Sequence, residues 1–378
     1  MKRIAVVYGT RPEAIKVAPV VDELRRADDV DAVVISTGQH REMLTAVEEV
    51  FDLAPDERLD VMRPGQSLNA LFARVLTAVD AVLEAVRPDL VMVHGDTTTA
   101  AASALAAHHR EIPVVHLEAG LRSEELWNPF PEEGNRRLIT RMSQVHLAPT
   151  ERARRNLLAE NVPDDEISVT GNTVIDALHD AARRTASSRW PAGLAHLDDS
   201  APTEHVVLVT LHRRENQAGA IGMVSAAIAQ FAAEHDDIRV VFPMHRNPTV
   251  RTAVIAALGS RANVDLIEPV DYPTMVRLLA RAWVIVTDSG GIQEEAPAFG
   301  VPVLVARDTT ERPEAIEAGV ARLVGGDGAR LLAQLRLLHE DPAEWAAMAR
   351  AVNPFGDGQA AVRVVDAVRR RLHADALS

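Results

Sequence analysis

Short runs of β-branched residues alternate along the chain with longer stretches in which apolar positions recur at helical spacing. This alternation is typical of parallel sheets covered by helices, because strands buried on both faces are almost continuously apolar. In the first half the pattern predicts strands at residues 4–8, 32–36, 90–94, 113–117, 145–148 and 167–170. The second half repeats the plan, with predicted strands at residues 206–210, 239–243, 264–267, 283–287, 301–305 and 321–324.

A loop-like segment separates the two halves. Residues 185–205 contain Ser-Ser-Arg-Trp-Pro-Ala-Gly and Asp-Asp-Ser-Ala-Pro, compositions typical of connections. We expect the hinge within residues 171–202. The fold class predicted is α/β, with two doubly wound, Rossmann-like domains facing a central cleft and ligands at the carboxyl ends of the strands.

Composition agrees with two domains and narrows the functional classes. A chain of 378 residues with 47% hydrophobic content exceeds the usual size of a single core. Cysteine is absent, so disulfides, thiolate metal sites and a Cys nucleophile are excluded. The net charge of −14 disfavours broad binding to nucleic acid or to a membrane surface. The N-terminus runs directly into a strand pattern, and no apolar run has membrane-spanning length, so we expect a soluble, cytoplasmic protein.

The segment from Asp288 to Glu295 carries the sharpest chemical signal. Ser289, Gly290 and Gly291 follow a predicted strand and open a helical pattern. A hydroxyl, unobstructed backbone N–H groups and a helix N-terminus together suit a phosphate. Glu295, one turn further on, is placed to accept hydrogen bonds from ribose hydroxyls. A tight strand-to-helix turn without a ligand explains the glycine pair equally well.

Carboxylates follow neighbouring strands in the first half. Asp96 comes after strand 90–94, and Glu118 comes after strand 113–117. Capping of the next helix is an alternative role for Asp96. Glu132 belongs to a cluster of acids and bases that is also typical of a solvated helix N-terminus. Polar groups that recur at the same end of successive strands nevertheless indicate a functional site.

Lysine occurs only at positions 2 and 16, although the chain has 40 basic residues. Lys16 suits a compact point charge on a phosphate, but a surface pair with Glu13 explains it equally well. Thr10 and Glu13 have the spacing of a capping box, so Arg11 and the helix N-terminus should face the ligand side together.

Redox, zinc and serine-hydrolase chemistry have little support in the sequence. The patterns G-x-G-x-x-G, H-E-x-x-H and G-x-S-x-G are all missing. Asp96, Glu118 and a histidine could hold a divalent ion, but the basic residues already present could serve a diphosphate without metal. We therefore expect neither a metal nor another cofactor.

Eight ordered segments resemble the non-hydrolysing UDP-N-acetylglucosamine 2-epimerases. They are residues 9–16, 38–41, 94–99, 116–122, 131–133, 212–216, 288–295 and 307–314, and the likeness continues to residues 353–358. The resemblance implies a glycosyltransferase-B-like fold, with an N-terminal domain of residues 1–171 plus a returning helix in 359–378, and a UDP-binding domain of residues 172–358. It implies reversible epimerisation of UDP-GlcNAc to UDP-ManNAc at C2, by elimination of UDP to a 2-acetamidoglucal and re-addition. It also implies an isomerase without a cofactor, working as a cytoplasmic homodimer in cell-surface polysaccharide biosynthesis.

The resemblance assigns roles to particular residues. The implied catalytic groups are Asp96, Glu118, Glu132 and His212. The implied substrate and UDP contacts are Arg11, Lys16, Asp96, Glu118, His212, Val270, Met275, Ser289, Gly290, Gly291, Glu295 and Arg312. Met275 stands where the family often has an aromatic residue beside the uracil, and a thioether can also pack on a ring.

Some bacterial members of the family bind a second UDP-GlcNAc as an activator. The residues that match parts of this regulatory pocket are Gln39, His40, Gln66, Arg213 and His245. Gly65 replaces an Arg found in some members, and Glu42 replaces a Gln, so activation stays an open question at this stage.

Three alternatives stay open beside this interpretation. A 2-epimerase for a modified UDP-acetamido sugar would use the same residues. A glycosyltransferase of the same fold would need an acceptor and fewer acids, and a hydrolysing epimerase would release UDP. A sugar-nucleotide sensor without catalysis is disfavoured by the complete set of acids.

Overall fold

A computed structural model of the chain describes residues 1–39, 41–197, 204–211, 218–244, 247–259 and 261–374. The chain divides into two compact units, Met1–Asp180 with Phe355–Ser378, and Ala181–Pro354. Each unit contains one parallel sheet that is covered by helices. The two predicted Rossmann-like α/β domains are therefore confirmed.

The two sheets have 7 and 6 strands, and every pairing in them is parallel. The first consists of β1 (Lys2–Tyr8), β2 (Val30–Ser36), β3 (Glu57–Arg58), β4 (Leu90–His94), β5 (Val114–Leu117), β6 (Val145–Ala148) and β7 (Ile167–Val169). The second consists of β8 (His205–Thr210), β9 (Ile238–Pro243), β10 (Val264–Ile267), β11 (Val284–Thr287), β12 (Val303–Val305) and β13 (Ala321–Leu323). The strand orders are β3-β2-β1-β4-β5-β6-β7 and β10-β9-β8-β11-β12-β13, so the order reverses beside β1 and beside β8. Ligands of doubly wound sheets bind at such reversals.

Helices connect the strands and cover the sheets. They are α1 (Arg11–Arg26), α2 (Arg41–Phe51), α3 (Leu68–Val86), α4 (Thr98–His109), α5 (Glu132–Met142), α6 (Glu151–Ala159), α7 (Thr173–Thr185), α8 (Ala218–Glu234), α9 (Pro248–Leu258), α10 (Tyr272–Arg281), α11 (Gly290–Glu295), α12 (Pro313–Glu317), α13 (Gly328–Glu340), α14 (Pro342–Ala349) and α15 (Ala360–Ala374). Several begin at a side chain that accepts a backbone N–H of the first turn, namely Ser67, Thr97, Thr150, Asp271, Asp327 and Asp341. No helix in the described ranges is long and apolar enough to cross a membrane.

All twelve predicted strands are present, with bounds that differ from the prediction by at most two residues. The short strand β3 was not predicted. Both of its residues are exposed, so it lacks the apolar run that marks the other strands, and it forms only through its pairing with Ile35 and Ser36 at the sheet edge. Tertiary pairing, not local pattern, produces this strand.

The last helix belongs to the first unit. Asp176 of α7 accepts the backbone N–H groups of Ala360 and Ala361 at 3.2 and 2.9 Å, which satisfies donors at the start of α15. The N–H of Asn172 donates to the carbonyl of Phe355 at 2.7 Å. These bonds attach α15 to α7, and they explain why the first unit extends to Asp180 rather than ending at residue 171.

We expect Asp176→Ala to lower the free energy of unfolding by about 1–3 kcal/mol, because it leaves two N–H groups of α15 without an acceptor in a buried place. Urea denaturation followed by circular dichroism measures the change. Asp28→Ala removes an exposed carboxylate and is the matched control. Equal midpoints for the two variants would contradict the proposed anchoring.

Candidate functional site

Glu118 is the centre of the polar cluster at the carboxyl edge of the first sheet. It directly follows β5, has a left-handed backbone with φ of 62°, and only 11% of its side chain is exposed. Lys16 Nζ of α1 donates a hydrogen bond to Glu118 Oε2. His94 Nε2, at the end of β4, lies 3.4 Å from the same oxygen. The structure therefore pairs Lys16 with Glu118 and rules out the alternative pair with Glu13.

The Glu118 carboxylate stays ionised although it is buried. Burial alone raises the pKa of a carboxyl, but the charge and hydrogen bond of Lys16, with the His94 imidazole nearby, outweigh it and hold the pKa of Glu118 well below its usual value. Lys16 is itself mostly buried, with 16% of its side chain exposed. The arrangement keeps a negative charge in a place where an unpaired carboxylate would take up a proton.

Asp96 lies one strand away and is paired with an arginine. Arg136 of α5 donates from Nε to Asp96 Oδ2 at 2.9 Å, and its Nη2 lies 2.6 Å from the same oxygen. The side-chain amide of Asn135 donates to the Asp96 carbonyl at 2.8 Å. The cap of α4 is Thr97, whose hydroxyl accepts the N–H of Ala100, so the alternative role of Asp96 as helix cap is wrong.

Glu132 and Glu133 have different environments. Glu132 is the first residue of α5, directly after Pro131. The Glu133 side chain is fully buried and accepts from the N–H of Ser123 at 3.1 Å, Arg137 Nε at 3.0 Å and Arg136 Nη1 at 3.2 Å. Burial raises the pKa of Glu133, yet these donors lower it further than burial raises it. Glu133 thus holds Arg136 in place.

A buried histidine supports the backbone next to Asp96. His116 Nε2 lies 2.7 Å from the Gly95 carbonyl, and the side chain is fully buried. Because a carbonyl only accepts, Nε2 carries the proton. Burial lowers the pKa of His116 to about 3, so the ring is neutral at ordinary pH. The ring therefore acts as a fixed donor that holds the turn between Gly95, with φ of 65°, and Asp96.

The start of α1 is fixed by a buried carboxylate. Glu13 Oε2 accepts the N–H groups of Gly9 and Thr10 at 3.0 and 2.7 Å, which confirms the predicted link between Thr10 and Glu13. Glu13 Oε1 accepts the Thr97 hydroxyl at 2.6 Å. Burial raises the pKa of Glu13. These bonds set the position of α1, and hence of Lys16, while Arg11 is exposed at the first position of the helix.

The glycine-rich segment of the second unit lies where the pattern predicted. Ser289 precedes the first turn of α11, which begins at Gly290, and the Ser289 N–H donates to Thr287 Oγ1 at 3.0 Å. A Cβ at Gly290 would lie 3.0 Å from Glu311 Oε1, so a side chain there would displace Glu311. Gly291 is exposed, and Glu295 ends the helix, partly buried.

Arg312 is attached to the same short helix. Its Nε donates to Glu294 Oε1, and Glu294 is 4% exposed. The Thr310 hydroxyl accepts the N–H of Arg312 at 3.0 Å and donates to Gln293 Oε1 at 2.6 Å. The structure therefore brings Arg312 and the Ser289 segment together, as two successive loops at the carboxyl edge of the second sheet.

Val270 and Met275 lie in the loop and helix that follow β10, at the carboxyl edge of the same sheet. Asp271 caps α10 by accepting the N–H of Thr274 at 2.9 Å, and Val270 and Met275 are both partly exposed on either side of this cap. Their side chains are accessible to a ligand at this edge.

Two of the predicted regulatory residues are described. Gln39 Oε1 accepts the Thr99 hydroxyl at 3.0 Å, and Gln66 Oε1 accepts a hydrogen bond from Arg74. The predicted residues His40, His212, Arg213 and His245 lie outside the described residues. Sequence reasoning missed His94 and Arg136 as site residues. Their positions in the sequence could have indicated both residues, because His94 is the last residue of a strand and Arg136 lies one helical turn after Glu132.

We expect Lys16→Met to raise the pKa of Glu118 by about one unit or more, because methionine keeps the length of the side chain and removes its charge. A carbon-13 NMR titration of the Glu118 carboxyl measures the shift. The chain supplies a matched control in its other lysine, Lys2, which pairs with Asp89 at 2.9 Å on the surface. This role of Lys16 would be contradicted if the pKa of Glu118 changed equally in Lys16→Met and Lys2→Met, or changed in neither variant.

Known proteins resemble this chain along nearly its whole length. A family model described as UDP-N-acetylglucosamine 2-epimerase matches residues 22–369. The UDP-N-acetylglucosamine 2-epimerase of Escherichia coli K12 is 47% identical over 376 residues, which cover 97% of this chain and 98% of that protein.

Solved structures agree with the sequence relatives. The crystal structure of the Neisseria meningitidis UDP-GlcNAc 2-epimerase bound to UDP-GlcNAc is similar with a TM-score of 0.84 and 43% identity, and the match covers 97% of this chain and 100% of that chain. Another crystal structure of a UDP-N-acetylglucosamine 2-epimerase matches with a TM-score of 0.91 and 40% identity, over 99% of this chain and 97% of that chain. On this evidence, the chain belongs to the UDP-N-acetylglucosamine 2-epimerase family.

Proposed function

We propose that the protein interconverts UDP-GlcNAc and UDP-ManNAc by reversible epimerisation at C2. The observation that carries the proposal is the ionised Glu118, held by Lys16 at the edge of the sheet where Asp96 is also held by Arg136. Fixed carboxylates of this kind suit proton transfer and the stabilisation of positive charge. The Neisseria relative, which was crystallised with UDP-GlcNAc, supports the same substrate for this chain.

The chemistry proceeds by elimination and re-addition. The C2 proton of an acetamido sugar is only weakly acidic, so its removal requires cleavage of the C1–O bond to UDP. A base takes the C2 proton, the electrons of the C2–H bond form the C1–C2 double bond, and the C1–O electrons leave with UDP. Re-addition of UDP at C1, with protonation of C2 on the opposite face, then gives the epimer. No electrons are exchanged with a redox cofactor.

The acids act at the sugar ring in this proposal. Glu118 and Asp96 are anionic groups that stabilise the positive charge developing at C1, and together with Glu132 they supply and accept the protons at C2. Removal of the proton on one face and delivery on the other requires two different groups, which is consistent with more than one acid at this edge. His212 completes the proposed catalytic set.

The basic and N–H-rich groups bind UDP. We assign the diphosphate to Arg11, Lys16, Arg312, Ser289 and the backbone of Gly290 and Gly291, because charge-assisted hydrogen bonds stabilise a departing diphosphate most strongly. Glu295 accepts hydrogen bonds from the ribose, and Val270 and Met275 contact the uracil. When UDP leaves, Lys16 can share its positive charge between Glu118 and the diphosphate.

We expect incubation of UDP-GlcNAc with the protein in D2O, without acceptor, metal or nicotinamide, to give UDP-ManNAc that carries deuterium at C2. Proton NMR follows both the anomeric signals and the loss of the C2 proton. A glycosyltransferase would leave the sugar unchanged under these conditions. A hydrolysing epimerase would instead release UDP and free ManNAc in equal amounts. Epimer that retains its C2 proton would refute the elimination route.

We expect Glu118→Gln to lower kcat by about two orders of magnitude or more, because the amide keeps the shape but carries no charge. Affinity for UDP should change little, since glutamine still accepts a hydrogen bond from Lys16. Isothermal titration with UDP and steady-state kinetics separate the two effects. Glu49→Gln, which neutralises an exposed carboxylate, is the control. Turnover near that of Glu49→Gln would exclude Glu118 as a catalytic group.

A further inference from the structure

A second cluster of ionisable side chains lies at the amino edge of the sheet in the second unit. His205 is the first residue of β8, Asp237 directly precedes β9, and His339 is in the last turn of α13. His205 Nδ1 and His339 Nε2 each lie 3.1 Å from Asp237 Oδ2. One ligand atom from each residue lies within 4.8 Å of the other two. We name this group the His205–Asp237–His339 cluster.

We propose that this cluster binds one divalent transition-metal ion of the zinc type. Two imidazoles and a carboxylate are a ligand set that Zn²⁺ uses when a water occupies its fourth position. In such a tetrahedral site, ligand distances of about 2.0–2.2 Å place neighbouring ligand atoms roughly 3.3–3.5 Å apart. The two N–O distances of 3.1 Å are close to this spacing, and all three ligand atoms lie within 4.8 Å of one another.

The backbone beneath the cluster is already fixed. His205 begins β8, Asp237 directly precedes the neighbouring parallel strand β9, and the His205 N–H donates to the Asp237 carbonyl at 2.7 Å. α13 is held against α8 by the ion pair of Arg336 and Glu234, one turn before His339. Metal binding would therefore require no ordering of the chain, which lowers its entropic cost.

Aromatic side chains orient both imidazoles. The His205 ring lies on Trp283 with ring centroids 5.0 Å apart. The His339 ring stands edge-on to Trp283 and Phe231, at 6.0 and 5.8 Å and nearly perpendicular to both. Fixed ring planes are what outer residues provide in metal sites, because they limit the directions in which the nitrogen lone pairs point.

Access and charge also suit a cation. About half of the His205 side chain and 42% of the Asp237 side chain are exposed, so an ion can enter from solvent. The Asp237 carboxylate supplies a negative ligand atom, and the whole chain has a net charge of −14. His235 lies beside the cluster, with its ring centroid 4.1 Å from that of His339.

The cluster is separate from the proposed active site. His205 begins β8, whereas Thr210 ends the strand at the edge that carries the Ser289 segment through the neighbouring β11. Five residue steps at about 3.3 Å each put roughly 16 Å of strand between the two edges. A metal at the His205–Asp237–His339 cluster would stabilise the second unit rather than take part in epimerisation.

Isothermal titration of the untagged protein with ZnCl2 near pH 7.5 tests the proposal. We expect one equivalent of Zn²⁺ to bind, and His339→Gln and His205→Gln each to weaken binding by about tenfold or more. The matched control is His196→Gln, since His196 forms a separate pair with Asp265 at 2.8 Å in the same unit. Circular dichroism of each variant confirms that the fold is kept.

Two further measurements distinguish a built site from scattered histidine binding. Co²⁺ should give the intense visible absorption of low-symmetry coordination in the wild type and in His196→Gln, and lose it in His339→Gln. At a free Zn²⁺ concentration about one hundred times Kd, Tm of the second unit should rise by about 5 °C or more. No binding, or binding that survives in both cluster variants, would show that the contacts are His–Asp hydrogen bonds alone and would overturn the proposal.

Discussion

The contact between Lys16 and Glu118 is the constraint on which the candidate active site depends. A carboxylate with little exposure loses most of its hydration, and the resulting cost is several kcal/mol unless a counter-ion replaces the water. Lys16 replaces it from α1, and His94 adds a second basic group from β4. Because three separate segments must meet at one oxygen, the position of α1 relative to β4 and β5 is part of the chemistry. The buried Glu13, which joins Gly9, Thr10 and Thr97, maintains that position.

Arginine and carboxylate side chains extend this network along the edge of the sheet. Arg136 donates hydrogen bonds to both Asp96 and Glu133. The fully buried Glu133 therefore orients Arg136, and Arg136 in turn holds Asp96. Networks of this kind fix side-chain geometry more than they add stability, because desolvation offsets most of the attraction. In the proposed mechanism, acids fixed in this way do not have to reorganise when charge develops at C1.

The two edges of the second sheet have different chemistry although the same strands form them. At the carboxyl edge, backbone N–H groups and Arg312 present positive charge that suits a diphosphate. At the amino edge, the His205–Asp237–His339 cluster presents lone pairs and a carboxylate that suit a cation. Parallel strands make this separation possible, because every strand delivers its first residue to one edge and its last residue to the other.

Local pattern was sufficient for the architecture and for the candidate side chains that follow the strand ends. Twelve apolar runs predicted twelve strands, because a strand that is buried on both faces is apolar at nearly every residue. Polar residues just past the strand ends led to the prediction that Asp96, Glu118 and Ser289 lie next to a ligand.

The side chains that contact each other across the fold were not predictable from the local pattern. Lys16 and Glu118 are 102 residues apart, and His205 and His339 are separated by 134, so periodicity, which reports only neighbours within a turn or a strand, carries no information on these contacts. The same limit led to the competing roles of Lys16 as partner of Glu13 and of Asp96 as helix cap. Both roles were excluded in the folded chain, where Lys16 pairs with Glu118 and Thr97 caps α4. Charge pairing depends on distance in space and not on distance along the chain.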